Sequence, residues 1–244
     1  MPTVYSSLRA VASRGPNHDR ATMISAVWMI ARKDLLIEWR SRVTLNQVAP
    51  LGLLTLVVFA FAFDANQSLL SRGAPGLIWV GVLFSGVLTV QRSFTIEAAD
   101  GITDALRLSG IAPSAMFLGK TLAVGVQLLV LQMILFAGAV VFFDAHVAEP
   151  LLLLAAAVAG TGGFAAVGSI YGAMSLGVRV RETLLPLLLI PVVAPILLAG
   201  TRAFERALDV STQSGWNWVG LLGVMWGVYL AVGTLAFGPL LEDS

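Results

Sequence analysis

Six apolar runs, separated by short polar connections, constrain this chain more than any other feature. They are Leu45–Phe63, Gly76–Gln91, Ala115–Phe143, Leu151–Val178, Thr183–Thr201 and Asn217–Leu241. A helix rises about 1.5 Å per residue, so crossing a hydrocarbon core of about 30 Å takes about 20 apolar residues. The second run is short for that, the third and fourth are long enough to tilt or project beyond the bilayer, and all lack the strict alternation of barrel strands. Composition agrees: 57% of the 244 residues are hydrophobic and 12% are charged, where a soluble domain carries about 25% charge. The sequence predicts an all-α integral membrane protein with six transmembrane helices. With no cysteine, disulfides, thiolate nucleophiles and thiolate metal sites are excluded.

The basic residues predict the sidedness. Arg9, Arg14, Arg20, Arg32, Lys33, Arg40 and Arg42 precede the first run. Arg92, Arg107 and Lys120 flank the second connection, and Arg179 and Arg181 the fourth; the opposite side holds Arg72, Arg202 and Arg206. Cytoplasmic loops are the Lys/Arg-rich ones, which places both termini inside. Trp216 and Trp218 would then open the last helix at the outer interface as part of an aromatic belt. Residues 1–21 read as a polar amino-terminal tail without the apolar core of a cleavable signal, so the first span is expected to serve as an uncleaved anchor.

Residues 22–44 carry a different pattern. Ile24, Trp28, Ala31, Leu35 and Trp39 recur at helical spacing, with Lys33 and Arg40 opposite. This predicts an amino-terminal interfacial amphipathic helix on the inner leaflet, its basic side toward anionic headgroups. Its candidate contact residues are Trp28, Lys33, Asp34, Glu38, Trp39 and Arg40. The plainer reading is a helical cap on the bundle.

Several motifs resemble chemical sites without their context. Residues 114–121 approach the phosphate loop, but Ser114 replaces the first glycine, the middle is apolar, and the segment opens a membrane helix instead of following a strand. Lys120 there reads as snorkelling toward headgroups. Gly160, Gly162 and Ala165 fit a dinucleotide fingerprint inside an apolar helix with no room for a βαβ unit. These glycines, and the G-x-x-x-G pair Gly168 and Gly172, read as close-packing positions. His146, in a polar connection, reads as solvated, with axial haem ligation as the sharper alternative.

No predicted span carries an acidic residue near its midpoint, where ion-coupled carriers need one. Gln127 and Gln132 are the strongest polar groups of the third span, suited to interhelical hydrogen bonds or to lining a path. Pro186, Pro191 and Pro195 fall in the fifth. Each removes a backbone donor, which predicts a kinked or locally unwound segment. It is either a bent packing helix or a cavity wall or gate. Arg202 to Asp209 reads as a short outer amphipathic helix or re-entrant turn. No nucleophile–base pair or metal cluster occurs at helical spacing, so no catalytic residue and no metal site is assigned.

The most polar part of the membrane domain, residues 45–241, is the connection 92–114. Glu97, Asp100 and Asp104 would form one acidic face on a helix there, beside Arg92 and Arg107. Acidic residues on the basic side are unnecessary for topology and point to contact with a cytoplasmic protein. Around this connection stand Trp79, Gln91-Arg92-Ser93-Phe94, Glu97, Leu106, Ala112-Pro113 and Phe117-Leu118-Gly119-Lys120. Elsewhere stand Lys33-Asp34-Leu35 with Glu38 and Arg40, Gly160-Thr161-Gly162-Gly163, and Arg181-Glu182-Thr183-Leu184-Leu185-Pro186. In this order, over about residues 30–205, they resemble the CcmB family, the permease subunit of the bacterial haem exporter of cytochrome c maturation. Gln91 stands where the family usually has Asn, and Ala98-Ala99 where it has a denser acid–base run.

The resemblance implies a six-helix permease of the type-2 ABC exporter class in the bacterial inner membrane. Its amino-terminal helix and inner connection would dock on a CcmA-like ATPase subunit, which would bind the ATP. It implies a homodimer of permeases, CcmC-like and CcmD-like membrane subunits, and a CcmE-like haem chaperone released outside. Haem is the implied cargo, with no cofactor bound directly and no nucleic-acid partner. The runner-up is a permease of the same class carrying a lipid or drug. A stand-alone carrier or channel is a third class.

Overall fold

A computed structural model describes residues 16–42, 44–63, 66–99, 112–175 and 181–242. Among them there is no strand, and seven α-helices make up the fold. They are α1 (Pro16–Ser41), α2 (Ala49–Ala62), α3 (Gln67–Ala99), α4 (Pro113–Phe143), α5 (Pro150–Met174), α6 (Arg181–Ala207) and α7 (Trp216–Glu242), with a π-helical turn at Thr44–Val48 before α2. Five helices, α3 to α7, are long and apolar enough to cross a membrane. A sixth crossing arises if α1 and α2, whose axes diverge by 53°, form one broken span.

The helix starts follow local chemistry. Asn66 Oδ1 accepts hydrogen bonds from the Ser68 and Leu69 N–H groups at 3.1 and 3.3 Å, which caps α3. Helices α2, α4 and α5 each carry proline at the start of the first turn, where the missing N–H costs no helical bond. The α4 helix ends at Asp144 in a left-handed conformation, φ 53°.

Four boundaries differ from the hydropathy reading. The first span is not an independent helix from Leu45: α2 has 14 residues, about 21 Å, short of the apolar thickness without the turn before it. The α3 helix has 33 residues rather than ending at Gln91, so the connection expected from Arg92 is helical to Ala99. The α6 helix is continuous through Pro186, Pro191 and Pro195, so the expected unwinding does not occur. It also runs on to Ala207, absorbing most of the separate outer helix expected from Arg202. Hydropathy marks what is apolar; helical hydrogen bonding does not stop where polarity begins.

The core is built from large side chains set into glycines. Trp79, Phe117, Phe143, Phe164 and Phe204 are fully buried. Trp79 fills the space beside Gly160 of α5 and Gly200 of α6, and its ring meets Phe204 edge-on at 5.4 Å. Trp226 of α7 lies against Gly162, and Phe117 of α4 against Gly233. Helix α5 is the central element, packing on α7, α6, α4 and α3. The glycines anticipated as close-packing positions thus serve as sockets for side chains, aromatic at Gly160, Gly162 and Gly172 and valine at Gly168.

Candidate functional site: a charged cluster joining three helices

Asp34 and Glu38 lie one turn apart on α1 and share a face. That face meets α4 and the end of α3 that leads into the connection. Lys120, in the first turns of α4, is 4% exposed; its Nζ lies 3.5 Å from Asp34 Oδ2 and 4.6 Å from the centroid of the Phe94 ring. Lys33 closes on the other Asp34 oxygen at 2.9 Å. Arg92 Nε stands 3.9 Å from Glu38 Oε2, an ion pair too long for a direct hydrogen bond. A small cavity of about 30 Å³ lies between the helices, lined by Asp34, Glu38, Thr89, Arg92, Ser93 and Gln127 among others. It is polar and large enough for a water molecule.

The physical sense of the cluster is mutual neutralisation. Lys120, Asp34 and Glu38 are largely screened from water, so the buried lysine depends on a carboxylate partner, while Lys33 and Arg92 keep 35% and 33% of their side chains exposed and add to the balance from the rim. A lysine that could snorkel is instead drawn inward: Lys120 is buried against a carboxylate and an aromatic face, which overturns its reading as a headgroup anchor. Phe94 in turn seats against Gly172 of α5. The cluster therefore ties α1, α3 and α4 together at the basic end of the bundle, with α5 one contact away.

Residues that the sequence assigned to separate groups meet here: Asp34 and Glu38 from the amino-terminal helix, Arg92 from the connection and Gln127 from the third span. Lys33 joins them at the margin. Others do not join. Trp28 and Trp39 are 61% and 73% exposed, and Arg40 is exposed. The face of α1 that packs is Ile30 and Ala31, and Ile30 fills the space beside Gly119. Of the expected apolar stripe, Ile24, Trp28 and Trp39 project outward and Ala31 packs inward. Pro191 and Pro195 are exposed and Pro186 is half-buried, away from the cluster. Gln132, five residues after Gln127, points about 140° around the helix. It is 3% exposed, neither amide atom has a hydrogen-bond partner, and it lines a separate groove with Phe136, Leu153 and Phe204. The Glu97 backbone is in the last turn of α3, while its side chain, and Asp100, Asp104 and Arg107, lie outside the described residues. Thr89 was missed and Ser93 entered only through the family motif; the one available signal was the i, i+4 spacing of Thr89 and Ser93.

At the opposite end, Arg206 grips Glu149 through Nε at 2.8 Å, and the Ala148 and Glu149 N–H groups donate to the Ala207 carbonyl at 2.9 and 3.1 Å. His146 is exposed, with Nδ1 2.7 Å from the Asp144 carbonyl oxygen. Among the described residues no group of three or more His, Asp or Glu is placed to hold a metal.

Fold and cluster together define a polytopic α-helical membrane protein whose amino-terminal helix is latched to the bundle. The family model described as CcmB protein matches residues 25–244, and the chain belongs to that family. It is 28% identical over 182 residues to Heme exporter protein B of Haemophilus influenzae, covering 73% of this chain and 80% of that protein. Heme exporter protein B of Paracoccus denitrificans is 29% identical over 177 residues, covering 71% and 80%. The Escherichia coli K12 protein of the same name is 30% identical over 109 residues, covering 43% and 50%.

Proposed function

We propose that this chain is the non-catalytic membrane permease subunit of a haem exporter, coupling ATP hydrolysis by a separate subunit to rearrangement of its own helices. The observation that carries the reading is the charged cluster. It joins α1 to the end of α3 from which the connection with Glu97, Asp100, Asp104 and Arg107 emerges. Force applied to either element reaches both through Arg92–Glu38 and Lys120–Asp34. Membership of the family and the name its relatives carry support haem as the cargo. On this reading the basic end is cytoplasmic, the membrane is the bacterial inner membrane, and α1 lies along its inner surface. A CcmA-like ATPase docks on α1 and the connection. CcmC-like and CcmD-like subunits, a second permease copy and a CcmE-like chaperone complete the system for c-type cytochrome maturation.

Reversal of Glu97, Asp100 and Asp104 to Lys tests the coupling. The expected outcome is loss of the ATPase from the purified complex or loss of ATP-driven output; unchanged assembly and turnover would refute it. A second reading, export of a lipid or drug, draws on a lateral groove of about 350 Å³ between α4, α5 and α7. Its lining includes Leu118, Leu122, Leu129, Val158, Trp226 and Leu230. Rescue of cytochrome c maturation in a strain lacking its permease separates the two.

A further inference from the structure

The seam between α3 and α5 is a set of interlocked knobs and sockets. Going toward the basic end, Trp79 seats on Gly160, Phe164 on Gly86, Val90 on Gly168 and Phe94 on Gly172. The two helices therefore run parallel, and the last three pairs repeat every four residues on both. A Cβ added at Gly86 would lie 2.6 Å from the Phe164 ring, and one at Gly168 2.7 Å from Val90. At Gly172 it would overlap the Phe94 ring. The knobs also alternate in direction: Phe164 projects from α5 into α3, while Val90 and Phe94 project from α3 into α5. A slide or rotation of one helix against the other unseats all three at once. A shift of one turn, about 6 Å, does not restore the sockets, because it sets Val90 against Phe164 in one direction and Phe164 against Val82 in the other.

The contact of α3 with α1 at the same level has a different character. Among the described residues it includes an Arg92–Glu38 ion pair of 3.9 Å beside a cavity of about 30 Å³. Long charge pairs around a void tolerate displacement of an ångström; filled glycine sockets do not.

We infer that α3 and α5 move as one register-locked body, and that Val90, Phe94, Gly168 and Gly172 are the positioning residues that hand motion of the connection to the centre of the bundle. This rests on the coupling reading above. Lys120, over the Phe94 ring, holds that knob in place from α4.

The chain contains no cysteine, so a disulfide pair can be introduced with no background from this chain, and thiols are counted on it after separation from its partners. A Cβ at Gly168 would stand 3.8 Å from Val90 Cβ, and the mean Cβ separation in disulfides is about 3.8 Å. The experiment uses the complex that co-purifies with this chain, reconstituted in vesicles. It compares ATP hydrolysis, ATP-driven output per ATP, and bound partner subunits. V90C/G168C, once oxidised, is expected to keep the output per ATP of its reduced form. G168V alone is expected to lower output per ATP about tenfold with partner binding unchanged, and the exchange V90G/G168V to restore most of it. Loss of output on oxidation that reductant reverses would overturn the inference, because the seam would then have to slide. So would an exchange variant that binds its partners normally yet stays uncoupled. If the unaltered chain shows no ATP-driven output, the coupling reading falls instead, and the seam is then decided by thiol counting. Near-complete disulfide formation in V90C/G168C supports a locked pair, and a yield below half refutes it.

Discussion

Glycine does opposite work in α5 and in the first half of α7, before the Gly233 socket that Phe117 fills. In α5, Gly160, Gly168 and Gly172 hold Trp79, Val90 and Phe94, with no room for one more carbon. In α7, Gly220, Gly223 and Gly227 have nothing within 4 Å of where a Cβ would stand. Both helices carry a G-x-x-x-G. In α5 it completes the core; in α7 it faces outward among exposed Val224, Val228 and Leu235. Burial follows the same division, at 67% of the most apolar stretch of α5 against 11% for α7. In lipid, where apolar contact alone gives little drive to associate, small residues permit close approach but do not say by what.

The largest test of this contrast is Trp79→Ala. It empties a site enclosed by Gly160, Gly200 and Phe204 and should cost about 3–5 kcal/mol. The fraction of monodisperse protein surviving a heat challenge in detergent measures it. Asp34→Ala is expected to cost about 3 kcal/mol, because Lys120 is left buried without its carboxylate. Asp34→Ala should also loosen α1 from the bundle, seen as new protease cleavage within residues 16–42. Gly172→Ala should cost about 1–3 kcal/mol, since the Phe94 ring must move. Next, Gln132→Leu removes two unpaired buried polar atoms and should raise stability by about 1 kcal/mol. A fall of that size would show that the amide has a partner after all. Smallest is Gly223→Ala, which should change stability by less than about 1 kcal/mol and in the favourable direction, from helix propensity alone. If it impairs the assembled complex as severely as Gly172→Ala, the open face of α7 is a contact in the assembly, and the contrast between the helices ends at the isolated chain.

Much of the architecture was legible in the sequence, and the reason is solvent. A membrane forces each crossing to be apolar along its length, so α4, α5 and α7 could be placed within a few residues, while the fourth run's expected end at Val178 lies outside the described residues. The errors fall where that rule lapses. Gln91 to Ala99 and Thr201 to Ala207 are polar enough to end a hydropathy run yet remain helical. The three prolines of α6 allowed local unwinding, but two are exposed and the helix is continuous through all three. The candidate site was legible only in pieces. Asp34 and Glu38, Arg92, and Gln127 stood out in three separate segments; the i, i+4 spacing joined the first two, but nothing along the chain joined that pair to Arg92 or Gln127. Lys120 was misread because its burial depends on Asp34, 86 residues away.

The sequence by itself determined that the chain spans a membrane by helices, how many apolar runs it has, and which end of the bundle is basic. These follow from composition and from a period written into neighbouring residues. Tertiary structure decided which glycines are sockets and which are bare, which charges find partners, and that α3 and α5 lie side by side in register. Those outcomes depend on the shape of a surface from a distant part of the chain, and local sequence specifies only half of each contact.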